Sequence, residues 1–168
     1  MTKKYFGTDG IRGRANEHPM DAEMAMKVGR AIVSRARQLR PDRKRPRVLV
    51  GKDTRLSCYM LETALSSGVA SMGGEAILTG PVPTPAVSFL ITSMRADMGV
   101  MISASHNPYT DNGIKVFNPD GIKLTDADEA ELEALIDGNG DLERPAPDQI
   151  GRMRRIDDVL GRYIVELK

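Results

Sequence analysis

Residues 47–103 decide the fold. They hold three short apolar runs, Arg47-Val-Leu-Val-Gly51, Glu75-Ala-Ile-Leu-Thr79 and Met98-Gly-Val-Met-Ile-Ser103, separated by two longer segments of helical period. The first segment, 57–72, places Leu61, Leu65, Val69 and Met72 on one face and stops at Gly73-Gly74. The second, 84–95, is entered through Pro81-Val-Pro-Thr-Pro85 and turns Val87, Leu90, Ile91 and Met94 inward. The 98–103 run is nearly all apolar, as strands covered on both faces of a parallel sheet are. A β-α-β-α-β succession with short loops predicts an α/β fold: a three-layer sandwich around a mainly parallel sheet with right-handed crossovers.

Upstream of this unit, residues 21–39 predict a helix capped by Asp21, with Met24, Val28, Ile32 and Leu39 on one stripe. The charged segment Arg40-Pro-Asp-Arg-Lys-Arg-Pro46 reads as a solvated surface loop. Downstream, Asp111-Asn-Gly113 and Asn118-Pro-Asp-Gly121 read as turns. Strands at 114–117 and 122–124 then form a hairpin on the sheet edge. Thr125-Asp-Ala-Asp128 has the form of a capping box opening a helix over 126–136. Residues 138–149, rich in Gly, Pro and charge, read as a linker. Residues 156–168 predict an amphipathic helix with Val159, Leu160, Tyr163, Ile164 and Leu167 apolar. Nothing follows to cover that side, so the expectation is a chain cut short.

Composition narrows the function. The chain has 168 residues, 24 Lys and Arg against 23 Asp and Glu, and a net charge of +1. That balance argues against a protein that wraps a polyanion, while leaving room for a small local anion site. No apolar run approaches the ~20 residues of a membrane span, and the opening Met1-Thr-Lys-Lys-Tyr-Phe lacks the apolar core of a signal peptide. A single cysteine, Cys58, excludes an internal disulfide and a Cys-rich zinc site, and suggests a reducing cytoplasm. With no Trp, four Tyr and three Phe, a stacking platform for single-stranded nucleic acid is not expected.

In an open parallel sheet, ligands bind beyond the carboxyl ends of the strands. Gly51-Lys-Asp-Thr-Arg55, Gly80-Pro-Val-Pro-Thr-Pro85 and Ser103-Ala-Ser-His-Asn-Pro108 emerge there. The opening segment Phe6-Gly-Thr-Asp-Gly-Ile-Arg-Gly13 is a fourth candidate, because Gly-rich backbone with an Arg approaches anions closely. The 103–108 segment reads either as a turn whose Ser, His and Asn satisfy backbone groups or as the loop of a nucleophilic serine. An acyl-transfer triad needs a base and an orienting carboxylate. Only His18 and His106 exist, His106 adjoins Ser105, and no Gly-x-Ser-x-Gly elbow is present, so a serine hydrolase is disfavoured. A phosphorylated serine suits the cations His106, Lys115 and Arg12 better, since phosphoryl transfer asks chiefly for positioned positive charge.

Five motifs in order, Phe6-Gly-Thr-Asp-Gly-Ile-Arg-Gly13, Gly51-Lys-Asp-Thr-Arg55, Pro83-Thr-Pro-Ala86, Ile102-Ser-Ala-Ser-His-Asn-Pro108 and Asp111-Asn-Gly-Ile-Lys115, resemble the α-D-phosphohexomutases. Within that family the resemblance is to the bacterial branch that interconverts glucosamine 6-phosphate and glucosamine 1-phosphate. Phosphomannomutases and phosphoglucomutases of the same superfamily, and a non-catalytic phosphosugar-binding module, are the alternatives. The family has four domains around a cleft. The resemblance implies that residues 1–150 are the first of them and residues 151–168 open the second, and that the isolated chain is inactive. It implies that Ser105 carries the phosphoryl group, that Lys115 is a general acid/base, and that Arg12 contacts phosphate or assists proton transfer. His106 and Asn107 are expected to hold the loop and substrate, Thr8 and Asp9 to contact substrate or phosphate, and Arg55 to brace the site. It also implies Mg²⁺, to which this chain gives only a phosphoryl oxygen on Ser105, because the Asp-rich metal loop belongs to the second domain. A glucose- or glucosamine-1,6-bisphosphate activator, a phosphosugar substrate, the enzyme's remaining domains, a homodimer of the whole enzyme and a cytoplasmic location complete the expectation, with no nucleic acid and no membrane as partner.

Overall fold

The computed structural model describes residues 3–138 and 142–168. Seven strands form one sheet: β1 (Phe6–Gly7), β2 (Gly10–Arg14), β3 (Arg47–Lys52), β4 (Glu75–Pro81), β5 (Met98–Ile102), β6 (Asp111–Phe117) and β7 (Arg152–Arg155), in the spatial order β1-β2-β6-β5-β3-β4-β7. The strands β4, β3 and β5 run parallel to one another, as the apolar runs predict, and β7 adds a further parallel strand beside β4. β6 is antiparallel to β5, β2 to β6, and β1 to β2, so the sheet is mixed.

Helices cover both faces and complete the three-layer α/β/α arrangement. On one face α1 (Ala22–Leu39), α2 (Ser57–Ser71) and α4 (Asp126–Asp137) bury Met24, Val28, Ile32, Leu61, Leu65, Val69 and Leu132 against Val48, Val50, Val100, Ile102 and Ile114. On the other, α3 (Thr84–Ser93) and α5 (Val159–Glu166) bury Val87, Leu90, Ile91 and Val159 against Leu49, Ile77 and Met101. Asp21 caps α1 by accepting the Met24 amide at 2.7 Å, and Thr125 and Asp128 form the capping box of α4. Leu39, expected on the inner stripe, is 44% exposed: it is the last residue of α1, where the stripe has run past the sheet.

Three local expectations need correction. Asp111-Asn-Gly113 is not a turn but the start of β6, which lies inside the sheet with a partner on each side. The 122–124 strand reduces to a single bridge between Phe117 and Lys123. An edge hairpin does exist, and it is β1–β2, built from the segment read as an anion-binding loop. β7, whose Arg-Met-Arg-Arg has no apolar alternation to mark it, extends the sheet past residue 150 and is held partly by Arg154 on Glu75 at 2.7 Å. Of the expected linker, residues 139–141 lie outside the described residues, and 147–149 form a short 3₁₀ turn.

α4 also fastens the N-terminal strand. Glu133 accepts the backbone N–H groups of Lys4, Tyr5 and Phe6 at 2.6–3.0 Å. The buried Glu129 pairs with Lys3 at 2.6 Å and with Lys123 at 3.2 Å. Lys123 in turn donates to the Thr8 carbonyl at 2.8 Å. The turn that carries Thr8 and Asp9 is thus tied to the body of the domain.

Candidate active site

The loop that follows β5 stands at the carboxyl edge of the sheet. Its first residue, Ser103, is buried and pinned by its amide to the Gly113 carbonyl at 2.9 Å. The Ser103 hydroxyl accepts the Ser105 amide at 3.0 Å. Ser105 itself is exposed and sits at φ 57°, a left-handed backbone that L-residues adopt rarely and that turns the side chain out of the loop. His106 beside it is also exposed.

Three other segments hold this loop from below. Arg12 of β2 donates to the Ala104 carbonyl at 3.1 Å and to Asn107 Oδ1 at 3.0 Å. Arg55, in the loop after β3, donates to the Ser105 carbonyl at 3.0 Å and the Asn107 carbonyl at 2.9 Å. Asn107 completes the brace by donating to Asp111 at 3.1 Å. Lys115 of β6 reaches Asp9 at 2.9 Å, and the same Asp9 carboxylate pairs with Arg12. Arg12 and Lys115 share one face of the sheet because Arg12 stands opposite Gly113 in the ladder, two residues from Lys115.

Two glycines make this approach feasible. A Cβ at Gly10, where φ is +90°, would stand 2.4 Å from the Ile114 carbonyl oxygen; at Gly113 it would stand 2.7 Å from that of Ser103. Any side chain there would push apart the strands that bring Arg12 and Lys115 together.

Two carboxylates balance these cations, Asp9 for Arg12 and Lys115 and Asp53 for Arg55. Burial works to raise the Asp9 carboxyl, but the Lys115 hydrogen bond and the charges of Lys115 and Arg12 outweigh it and hold it below its ordinary value. Asp53 follows the same logic. Burial opposes ionisation, and the Arg55 amide, Ser103, Cys58 and the Arg55 charge win. The buried Cys58 lies under this corner, within 3.1 Å of Asp53, and burial pushes its thiol up to about 11, so it is a core residue and no nucleophile. A cleft of about 450 Å³ opens beside the loop, lined by Tyr5, Gly7, Thr8, Asp9, Gly10, Arg12 and His106.

The structure therefore brings Ser105, His106, Asn107, Arg12, Arg55, Asp9, Thr8 and Lys115 to one edge. His18 stands apart, 3.3 Å from Asp21. Sequence reasoning missed Asp53, Ser103, Asp111 and Lys123. Asp53 and Arg55 carried a signal: an Asp two residues before a cation forms a local turn, seen here as the Arg55 amide on Asp53 at 2.9 Å. Lys123 carried none, because its target is a carbonyl 115 residues away.

Comparison with known proteins identifies the family. Residues 3–143 match the family described as phosphoglucomutase/phosphomannomutase, alpha/beta/alpha domain I. The phosphoglucosamine mutase of Anaeromyxobacter sp. is 55% identical over all of this chain, and that of Cereibacter sphaeroides strain ATCC 17025 is 59% identical over 97% of it. The chain spans only 36% of the length of either relative. Among solved structures, a phosphoglucomutase/phosphomannomutase family protein from Burkholderia thailandensis superposes with a TM-score of 0.79 at 27% identity. It covers 95% of this chain and 34% of that one. A putative phosphomannomutase from Thermus thermophilus superposes with a TM-score of 0.72 at 29% identity, covering 94% and 34%. With the motifs, the sheet and the braced loop all in place, the chain belongs to the phosphoglucomutase/phosphomannomutase family and carries its α/β/α domain I.

Proposed function

We propose that this chain is the phosphoserine-bearing part of a phosphoglucosamine mutase, which interconverts glucosamine 6-phosphate and glucosamine 1-phosphate through a bisphosphate intermediate. One observation carries the reading: Arg12 of β2 and Arg55 of the β3 loop hold the loop that presents an exposed Ser105, and Lys115 of β6 shares Asp9 with Arg12. The glucosamine specificity rests on identities of 55–59% to relatives named phosphoglucosamine mutase, against 27–29% for the phosphomannomutase-like solved structures.

In the proposed reaction a sugar hydroxyl attacks the phosphorus on Ser105. A new O–P bond forms and the bond to Ser105 Oγ breaks, while Lys115, an ammonium paired with Asp9, gives its proton to Oγ and regains one from the attacking hydroxyl. Arg12 and Arg55 keep the loop's carbonyls and Asn107 fixed, which holds the phosphoryl group in line. His106 borders the cleft and is placed to contact the phosphoryl group or the sugar. Thr8 and Asp9 form the opposite wall, Asp9 acting through the two cations it pairs. The bisphosphate then turns over and returns its other phosphoryl group to Ser105.

Among the described residues no group of three or more His, Cys, Asp or Glu could hold a metal ion. The contribution proposed from this chain is one oxygen on phosphorylated Ser105. A 1,6-bisphosphate activator would load the serine. The domain division follows the same reading: residues 1–150 as the first domain and 151–168 as the opening of the second, strapped to the first by β7. A cytoplasmic location and a role in supplying amino-sugar precursors of peptidoglycan go with it. No helix among the described residues is long and apolar enough to cross a membrane.

The decisive experiment uses the protein joined to its remaining domains. Intact-mass analysis after incubation with glucosamine 1,6-bisphosphate should show one added phosphoryl group, absent in Ser105→Ala. Turnover should be fastest on glucosamine 6-phosphate when compared with mannose and glucose phosphates. An adduct that persists in Ser105→Ala overturns the assignment of the nucleophile, and preference for mannose phosphate overturns the sugar.

A further inference from the structure

The opposite, amino-terminal end of the sheet carries a second cleft, of about 640 Å³, that the mutase reading does not use. Arg37 from the last turn of α1, Lys44 and Arg45 from the loop before β3, and Arg152 from β7 line it, with Asp148 as its one carboxylate and Gly73 in its floor. Among the described residues, the charged groups of Lys44, Arg45 and Arg152 make no ion pair or hydrogen bond, and Arg37 gives one nitrogen to the Met72 carbonyl at 2.6 Å. The loop that bears Lys44 and Arg45 is fixed on both sides. The fully buried Asp97 accepts Arg43 Nε at 3.1 Å and the Arg47 amide at 2.8 Å. Two of the four cations are therefore carried by an anchored loop, and cations from three separate segments face one space with little counter-charge. Like charges gathered in a concave site focus a field that favours anions.

We propose that this cleft binds a small anion with two or more adjacent phosphate groups. Its volume falls within the roughly 300–1,000 Å³ of small-ligand sites. Arg forks suit bidentate contact with phosphate oxygens. The lining has no aromatic or large apolar side chain on which a nucleobase could stack, so recognition goes through the phosphates. Four positive charges against one negative exceed what a single phosphate neutralises. The site stands apart from Ser105 and does not depend on the mutase reading.

Pyrophosphate, titrated into the isotope-labelled 168-residue chain, is the probe. Amide resonances of Gly73, Gly74 and Arg152 should shift and saturate. Arg45→Glu and Arg152→Glu should each weaken binding about tenfold or more, as loss of a charge-assisted contact does. Lys44→Gln, which reverses no charge, checks the same point should a reversal unfold the chain. Ser105→Ala should leave the affinity unchanged, and orthophosphate should bind about tenfold more weakly. Shifts confined to residues 103–108 would overturn the site. So would an affinity indifferent to Arg45→Glu, Arg152→Glu and Lys44→Gln alike. Equal binding of orthophosphate and pyrophosphate would overturn the polyphosphate class.

Discussion

The two ends of the sheet use positive charge in opposite ways. At the carboxyl edge, Arg12 and Lys115 share Asp9, and Arg55 has Asp53. At the amino edge, Lys44, Arg45 and Arg152 line a cleft with Asp148 as the single carboxylate. A paired, hydrogen-bonded cation is fixed in one geometry, which suits a site where a phosphoryl group must be held in line. An unpaired cation keeps its full attraction for an incoming anion, which suits affinity over positioning. The lesson is that a count of basic residues says little until each one's carboxylate has been found.

The sharpest way to break this contrast is at Ser105. In the enzyme with its remaining domains, Ser105→Ala should lower turnover by at least about three orders of magnitude, measured as sugar-phosphate isomerisation, while pyrophosphate binding at the amino edge stays intact. Asp9→Asn comes next. It removes the shared partner of Arg12 and Lys115, and a misplacement of that kind costs about a hundredfold. Steady-state kinetics should show the loss mainly in kcat, and an unchanged kcat would mean that pairing does no positioning. Gly10→Ala should destabilise the fold by roughly 1–3 kcal/mol, read from thermal unfolding, because its Cβ would meet the Ile114 carbonyl at 2.4 Å.

Acid should separate the two ends more gently. The Asp9 and Asp53 carboxyls are depressed from 3.8 in the folded chain. A depressed acid contributes stability that is present above its ordinary value and is lost as pH falls through its folded one. Hydrogen exchange of the Arg55 and Asn107 amides should therefore accelerate below pH 3.8 before that of Gly73 does. The smallest effect is expected for Arg154→Ala, which removes a pair with Glu75 at the exposed β7 edge. It should change stability by less than about 1 kcal/mol, measured by denaturant titration.

Helices α1 to α3 and the parallel strands between them were legible because their apolar periods are strong and their stops are Gly and Pro. The capping box of α4 was legible for the same local reason. The antiparallel half was not. Asp111-Asn-Gly113 carries the strongest short-range turn signal, yet tertiary pairing on both sides extends it. β2 was hidden by its glycines, which are there to let strands approach and not to make a loop. Of the candidate site, the residues that meet the loop bearing Ser105 came from motifs, whereas Lys123 and Ser103 act through carbonyl and amide contacts that leave no pattern along the chain.

The antiparallel ladder also sets what engineering this domain will tolerate. Arg12 opposite Gly113, and Lys115 opposite Met101, place both cations through alternation alone. A single residue inserted within β6 would rotate Lys115 into the interior and bring Ile114 or Val116 out in its place. Grafts and circular permutations must therefore avoid 111–117, and equally the 103–108 loop whose carbonyls Arg12 and Arg55 hold.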